Sequence, residues 1–364
     1  VEKALGLPMI HHRTPEFDAI LKRTLTRLKL IFETDQPCFA LTSTGSGGME
    51  ALLVNTLAPG DHVLCIDSGK FGERWGEMAR TFGARVTTLK TEWGHAVDPQ
   101  EVKTLLDKHA DIKIVLCQAC ETSTGVKHPI QALGKIIHAR SQTLFLVDGI
   151  TALGAFPLPM DDWHLDGVVG GSQKAFMLPT GLAFMSFSSK AWKVIENNPQ
   201  PRFYFDIRKE KTANARGETF FSSNVSLIRA LDVVLEMILA KGLPAHFAEI
   251  KRRGDFVREY APRLGLQLYS SAPSESLTAL TVPAGLDSQK LRQAMEDKFR
   301  ITLMGGQDQA KGKILRIGHM GHITALDMID VLLRLWDVLN EASPDLKLPA
   351  RAPFESELRG FWNV

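Results

Sequence analysis

Gly167-Val168-Val169-Gly170-Gly171-Ser172-Gln173-Lys174-Ala175-Phe176 carries the reading of this chain. A short apolar strand runs into small residues, then a single lysine, then apolar residues again. Burying an ammonium costs free energy unless it is paired or its pKa falls. Most lysines beside an apolar segment lead their amine out to water. One held at the end of a buried strand is a candidate nucleophile, and an amine that meets an aldehyde forms a Schiff base. The segments around Lys174 decide between these roles.

Outward from it, apolar strand-like runs alternate with helical patterns from about residue 36 to 250. Phe39–Thr42, His62–Ile66, Arg85–Leu89, Lys113–Cys117, Leu144–Val147, Gly167–Val169 and Leu182–Phe187 read as strands, and Gly48–Leu57 and Arg74–Phe82 as intervening helices. This alternation predicts an α/β fold: a large domain with a mostly parallel sheet sandwiched by helices. Such sheets take ligands at the carboxyl ends of their strands. A long helix over 226–241 stops at Gly242. Helix 246–261, strand Leu277–Val282, helix Asp287–Phe299, strand Lys313–Ile317 and helix Thr324–Ala342 then predict a smaller α+β C-terminal domain. The expected boundaries are 21–245 for the large domain and 246–342 for the small one, with residues 1–20 packing on the latter. Residues 343–364 show no clear periodicity and read as a tail.

The 364 residues are 44% hydrophobic and 23% charged, with a formal net charge of +2. That suits a folded chain of roughly two domains. No basic block interleaves with aromatic residues, so nucleic acid is not an expected partner. No apolar stretch approaches the roughly 20 residues that span a bilayer, so no membrane contact is expected. Four cysteines do not make a disulfide framework. Cys117 and Cys120 form a CxxC, but it closes an apolar strand and has no second pair to complete a zinc site, so packing is the expected role. The chain opens on Val1, where a preceding targeting signal would be invisible. Phe361-Trp362-Asn363-Val364 carries no Ser-Lys-Leu-type signal, and the cytoplasm is the expected compartment.

Two upstream segments complete a constellation. Thr42-Ser43-Thr44-Gly45-Ser46-Gly47-Gly48-Met49-Glu50 follows a strand and opens a helix, where small residues let backbone N–H groups converge on an anion. A flexible turn is the plainer reading of such a loop, and the segment matches neither a Walker A loop nor GxGxxG. Phe145-Leu146-Val147-Asp148-Gly149 places a carboxylate just past a buried strand, where helix capping is the commoner role. A phosphate loop, a strand-end aspartate and a guarded lysine together meet the needs of pyridoxal phosphate.

On these residues the chain resembles a fold-type I, class V pyridoxal-phosphate aminotransferase of the serine–pyruvate/alanine–glyoxylate group. Thr44–Ala51, Leu57–Asp61, Glu121–Val126, Val147-Asp148, Gly171–Lys174, Met304–Gly306 and Leu315–Gly318 match in the family's order. The resemblance implies that Lys174 carries the Schiff base and that Asp148 binds the ring nitrogen. It implies that Thr44, Gly45 and Ser46 hold the phosphate with help from Gln173, that Phe71 stacks on the ring, and that Thr122 contacts its phenolic oxygen. Arg316 falls where the family grips the substrate carboxylate, a task suited to a planar fork. Leu315 and Ile317 alternate around it and face the other way.

The family is a homodimer with shared sites. The matching segment, Thr219-Phe220-Phe221-Ser222-Ser223, lacks the tyrosine and Thr-Pro that relatives carry, which leaves Ser222 as the candidate phosphate contact to the partner. The family's N-terminal Pro-Gly-Pro segment is also absent. The implied activity is transfer of an amino group from a small L-amino acid, alanine or serine, to a small 2-oxo acid such as glyoxylate or pyruvate. A kynureninase-like or β-eliminating lyase on the same fold is the alternative. Desulfuration is disfavoured, because Phe71 replaces the stacking histidine and Gly305–Gly312 holds no cysteine. A non-enzymatic scaffold would have no use for the lysine, aspartate and arginine set.

Overall fold

A computed structural model describes residues 1–364. Seven of its strands form one sheet: β1 (Cys38–Thr42), β2 (His62–Asp67), β3 (Arg85–Lys90), β4 (Ile112–Gln118), β7 (Leu144–Asp148), β8 (Gly167–Gly171) and β9 (Leu182–Phe187). Between β4 and β7 a two-residue hairpin pairs β5 (Cys120–Glu121) with β6 (Val126–Lys127). The spatial order is β1-β9-β8-β7-β4-β2-β3. β9 runs antiparallel to both neighbours and every other pairing is parallel, so six strands point one way. All seven strands expected from the pattern are present.

Alternate strand residues feed two cores, as a sheet covered on both faces requires. Phe145 and Val147 enter one, with Leu64, Val115 and Phe184. Leu144 and Leu146 enter the other, with Val63, Ile114 and Met185. Eight helices belong to this half in chain order: α1 (Glu2–Leu5), α2 (Pro15–Phe32), α3 (Gly45–Thr56), α4 (Lys70–Thr81), α5 (Pro99–Lys108), α6 (Ile130–His138), α7 (Ser189–Asn197) and α8 (Ile207–Asn214). The long α9 (Val225–Lys241) follows.

Gly242, at φ +81°, joins α9 to α10 (Leu243–Tyr260). Here begins a four-stranded antiparallel sheet of order β10 (Gln267–Leu268), β11 (Leu277–Thr281), β13 (Ile314–Gly318) and β12 (Met304–Gly305). It is backed by α11 (Ser288–Phe299), α12 (Ala325–Ala342) and a third core.

Two expectations change. Residues 1–20 pack on α9, not on the C-terminal module. Arg229 of α9 donates to the carbonyls of Leu7 and Pro8 at 2.8 and 2.9 Å, and Ala4 and Phe17 join the core that α9 completes. The tail is also structured: Arg351–Trp362 forms α13, with Phe354 and Leu358 buried in the third core. Its proline density hid the helix, yet Pro353 lies in the first turn, where a missing N–H costs no intrahelical bond.

Candidate active site

The carboxyl ends of five parallel strands meet over one cavity. Thr44, Gly45, Ser46 and Met49 follow β1, Phe71 and Arg74 follow β2, and Thr122 follows β4. Asp148, Ile150 and Thr151 close β7, and Gln173 and Lys174 follow β8. Together they line about 140 Å³. The register explains the gathering: Gln118 of β4 pairs with Asp148, and Asp148 with Val169 of β8, in one row across the sheet.

The loop after β1 is the first turn of α3. Thr44 is its N-cap, and its hydroxyl accepts the Gly47 N–H at 3.2 Å. The remaining first-turn N–H groups have no intrahelical acceptor and carry the positive end of the helix dipole. The turn lies tight against its surroundings. A Cβ on Gly45 would fall 2.7 Å from Ile150, and one on Gly48 would fall 2.6 Å from Val169 and 2.8 Å from Ala183. These glycines let the helix start come down onto the sheet.

Lys174 is half-buried and makes no ion pair, the condition the sequence pattern points to. Burial lowers its pKa and the Arg316 cation lowers it further, while Cys120 and Asp148 oppose the shift. Asp148 is buried, and its Oδ1 accepts the Ile150 N–H at 2.9 Å. Burial pushes its carboxyl up to about 7 against that hydrogen bond. An amine pushed toward neutrality and a carboxyl short of donors thus share one cavity. Such displaced titrations are the usual mark of a reactive site.

Phe71 and its helix are held by a residue whose role the sequence did not reveal. Buried Glu121 accepts the N–H groups of Phe71 and Gly72 at 3.1 and 3.0 Å, and the backbone N–H and side-chain O–H of Ser123 at 3.1 and 2.6 Å. It caps α4 from 50 residues away, a distance at which no local signal operates. Arg316 lies on β13 of the C-terminal module, its Nε donating to Gly305 O at 3.0 Å and Nη1 to Thr122 O at 2.6 Å. These bonds hold the guanidinium against the Thr122 segment, within electrostatic reach of Lys174. Ser222 is not brought in: it is exposed and lines a separate recess with Tyr204, Glu210 and Thr219. Arg74, Met49, Ile150 and Thr151 line the cavity without having been expected there. Cys117 and Cys120 are buried and unpaired.

The residues fit a pyridoxal phosphate. The α3 N-terminus offers an anion cradle and Lys174 a free amine. Asp148 leaves Oδ2 without a protein donor. One group of side chains comes within metal-ligand reach, His62 with His109 and Asp111. It lies at the opposite ends of the strands, and Arg85 already pairs with Asp111.

Fold and site define a fold-type I pyridoxal-phosphate enzyme. The family model for class V aminotransferases matches residues 2–323. The chain is 38% identical over 342 residues to the soluble hydrogenase small subunit of Synechococcus sp., covering 93% of this chain and 89% of that one. It is 38% identical over 331 residues to L-aspartate–glyoxylate aminotransferase of Paracoccus denitrificans, covering 89% and 84%. Among solved structures it matches alanine–glyoxylate aminotransferase of Nostoc sp. with a TM-score of 0.90 at 27% identity, covering 93% and 91%. The chain belongs to the class V aminotransferase family. It is an aminotransferase with pyridoxal phosphate as cofactor and amino and oxo acids as substrates. No helix is long and apolar enough to cross a membrane.

Proposed function

We propose that the enzyme moves an amino group from a small L-amino acid, alanine or serine, to glyoxylate or pyruvate, with Lys174 and Asp148 as its catalytic residues. The carrying observation is the Lys174 amine, unpaired and of lowered pKa, beside buried Asp148 and below the start of α3. Similarity to proteins named for glyoxylate supports the acceptor.

When bound, pyridoxal phosphate supplies an aldehyde that exchanges amines and a ring that draws electrons from the substrate α-carbon. Lys174 Nζ is the resting amine of the site. Its amine would take the α-proton of the amino acid and deliver it to the carbon that had carried the aldehyde, a task served by a lowered pKa. Asp148 Oδ2 keeps a proton at the ring nitrogen. Thr44, Gly45, Ser46 and Gln173 bind the phosphate, Phe71 covers the ring, and Thr122 meets its phenolic oxygen. The free Nη2 edge of Arg316 binds the substrate carboxylate.

Two copies of the chain form the working unit in this reading. Phe203, Tyr204 and Phe220 are exposed and cluster around Phe221, with Tyr204 stacked on Phe221 at 4.9 Å. Such an apolar patch supports a protein interface, and in this proposal Ser222, beside it, serves the partner's phosphate. The four unpaired cysteines suit a reducing compartment, and we assign the cytoplasm.

The test mixes the holoenzyme with L-alanine, L-serine and L-aspartate separately, without oxo acid. Conversion of the cofactor absorbance to its amine form would rank the donors. Ammonia release with the aldehyde form retained would replace transamination by a lyase reaction.

A further inference from the structure

Arg74 is the cation of the cavity that no role above absorbs. It lies one turn into α4, half-buried, and lines the cavity with Thr44, Ser46 and Lys174. No carboxylate pairs with it. Glu73, beside it in the chain, is engaged by Lys70 at 2.8 Å, and Asp148 of the same cavity feels the Arg74 charge without a hydrogen bond to it. Its hydrogen bond is a long one, Nη1 donating to Ser46 Oγ at 3.4 Å. Its guanidinium carbon stands 5.0 Å from the centroid of the Phe71 ring. The side chain therefore bridges the two ends of the site, Phe71 for the ring and Ser46 for the phosphate.

A half-buried cation without a counter-ion is poorly compensated. A phosphate monoester carries close to two negative charges at neutral pH, and a helix N-terminus offers only about half a positive charge. The cradle at α3 is thus short of positive charge by itself, and Lys174 cannot supply it while serving as the amine. A guanidinium suits the deficit, since its planar fork matches phosphate oxygens.

We propose that Arg74 is a phosphate-binding residue of this site, supplying the charge that the α3 N-terminus lacks. The inference rests on the assignment of Thr44, Gly45 and Ser46 to the phosphate. Stacked on Phe71, the guanidinium is held in place before the anion arrives, so little side-chain freedom is lost on binding.

The test compares three ligands on the cofactor-stripped full chain: inorganic phosphate by calorimetry, and pyridoxal phosphate and phosphate-free pyridoxal by absorbance. Arg74→Met should weaken inorganic phosphate and pyridoxal phosphate about tenfold, the size of one charge-assisted contact, and leave pyridoxal unchanged. Arg74→Lys should recover part of the loss. Phosphate binding should also depend less on salt in Arg74→Met. Unchanged phosphate affinity would overturn the proposal. So would an equal loss for pyridoxal and its phosphate, which would mean that Arg74 acts only by supporting Phe71. Arg74→Gln gives the same readings if Arg74→Met does not fold. Wild-type protein that binds neither phosphate nor pyridoxal phosphate would instead sink the underlying assignment of the cradle.

Discussion

At the scale of single residues, the site depends on two groups whose titrations burial displaces in opposite directions. Lys174 has no ion pair, and burial with Arg316 nearby lowers its pKa. Lys174→Ala is expected to abolish borohydride-fixed cofactor and to slow the amino-transfer half-reaction at least about a thousandfold. Mass spectrometry of the labelled peptide checks the first and stopped-flow absorbance the second; label on another lysine would refute the assignment. Asp148 gives a pH prediction. Its carboxyl rises from an ordinary 3.8 to about 7, so between those values the native state holds a proton that the unfolded chain releases. Stability from this group is full below about pH 4 and lost as pH climbs toward 7. Cofactor-free Asp148→Asn should therefore exceed the wild type at pH 8 by roughly 2–4 kcal/mol in urea unfolding, with the gap closing near pH 4. Equal stability at both pH values would show that Oδ2 already has a compensating partner. Lys174 and Asp148 were legible because each interrupts an apolar strand end. Arg74 and Glu121 were not, since their meaning lies in Ser46, Phe71 and Gly72, which other elements deliver.

At the scale of elements, the start of α3 is the most constrained piece. Gly48 allows the helix to touch β8 and β9, where a Cβ would sit 2.6 Å from Val169 and 2.8 Å from Ala183. Gly48→Ala is expected to lower stability by about 1–3 kcal/mol, the range of overpacked cores. It should also weaken cofactor binding, because the helix start is displaced with it. Urea midpoints and cofactor titration measure the two effects, and a silent substitution would show that α3 has room to move. α3 and α4 begin three and four residues ahead of the sequence reading, which opened them at Gly48 and Arg74. Glycines read as loop when taken locally. Here Thr44 caps the first helix and Glu121 caps the second from afar, and those acceptors outweigh the intrinsic cost of glycine in a helix.

At the scale of the molecule, the two sheets meet over the site. Arg316 reaches from β13 to the carbonyl of Thr122 at 2.6 Å, and Lys70 reaches back to Asp308 at 3.1 Å. The exposed aromatic patch takes part in neither contact, and the dimer reading assigns it to a second copy. Phe203→Glu combined with Phe220→Glu is expected to give monomers in sedimentation at micromolar concentration and to weaken cofactor binding severalfold, since the partner's Ser222 would be lost. Unchanged sedimentation would place the interface elsewhere. Intact dimers with weakened cofactor binding would confine the effect to the Ser222 loop.

The seven strands, their alternation with helices and the place of a lone lysine just past β8 were determined by the sequence alone. Buried parallel strands need continuous apolar runs, and a lone charge among them is conspicuous. Tertiary structure decided where residues 1–20 pack, because α9 offers Arg229 to the carbonyls of Leu7 and Pro8, a match no local pattern carries. It decided that the tail is helical, because Phe354 and Leu358 gain a core only once α12 is in place. It also decided that Arg74 and Glu121 belong to the site. A side chain's role there depends on which backbone groups and charges lie within about 3–5 Å, and those come from residues dozens of positions away.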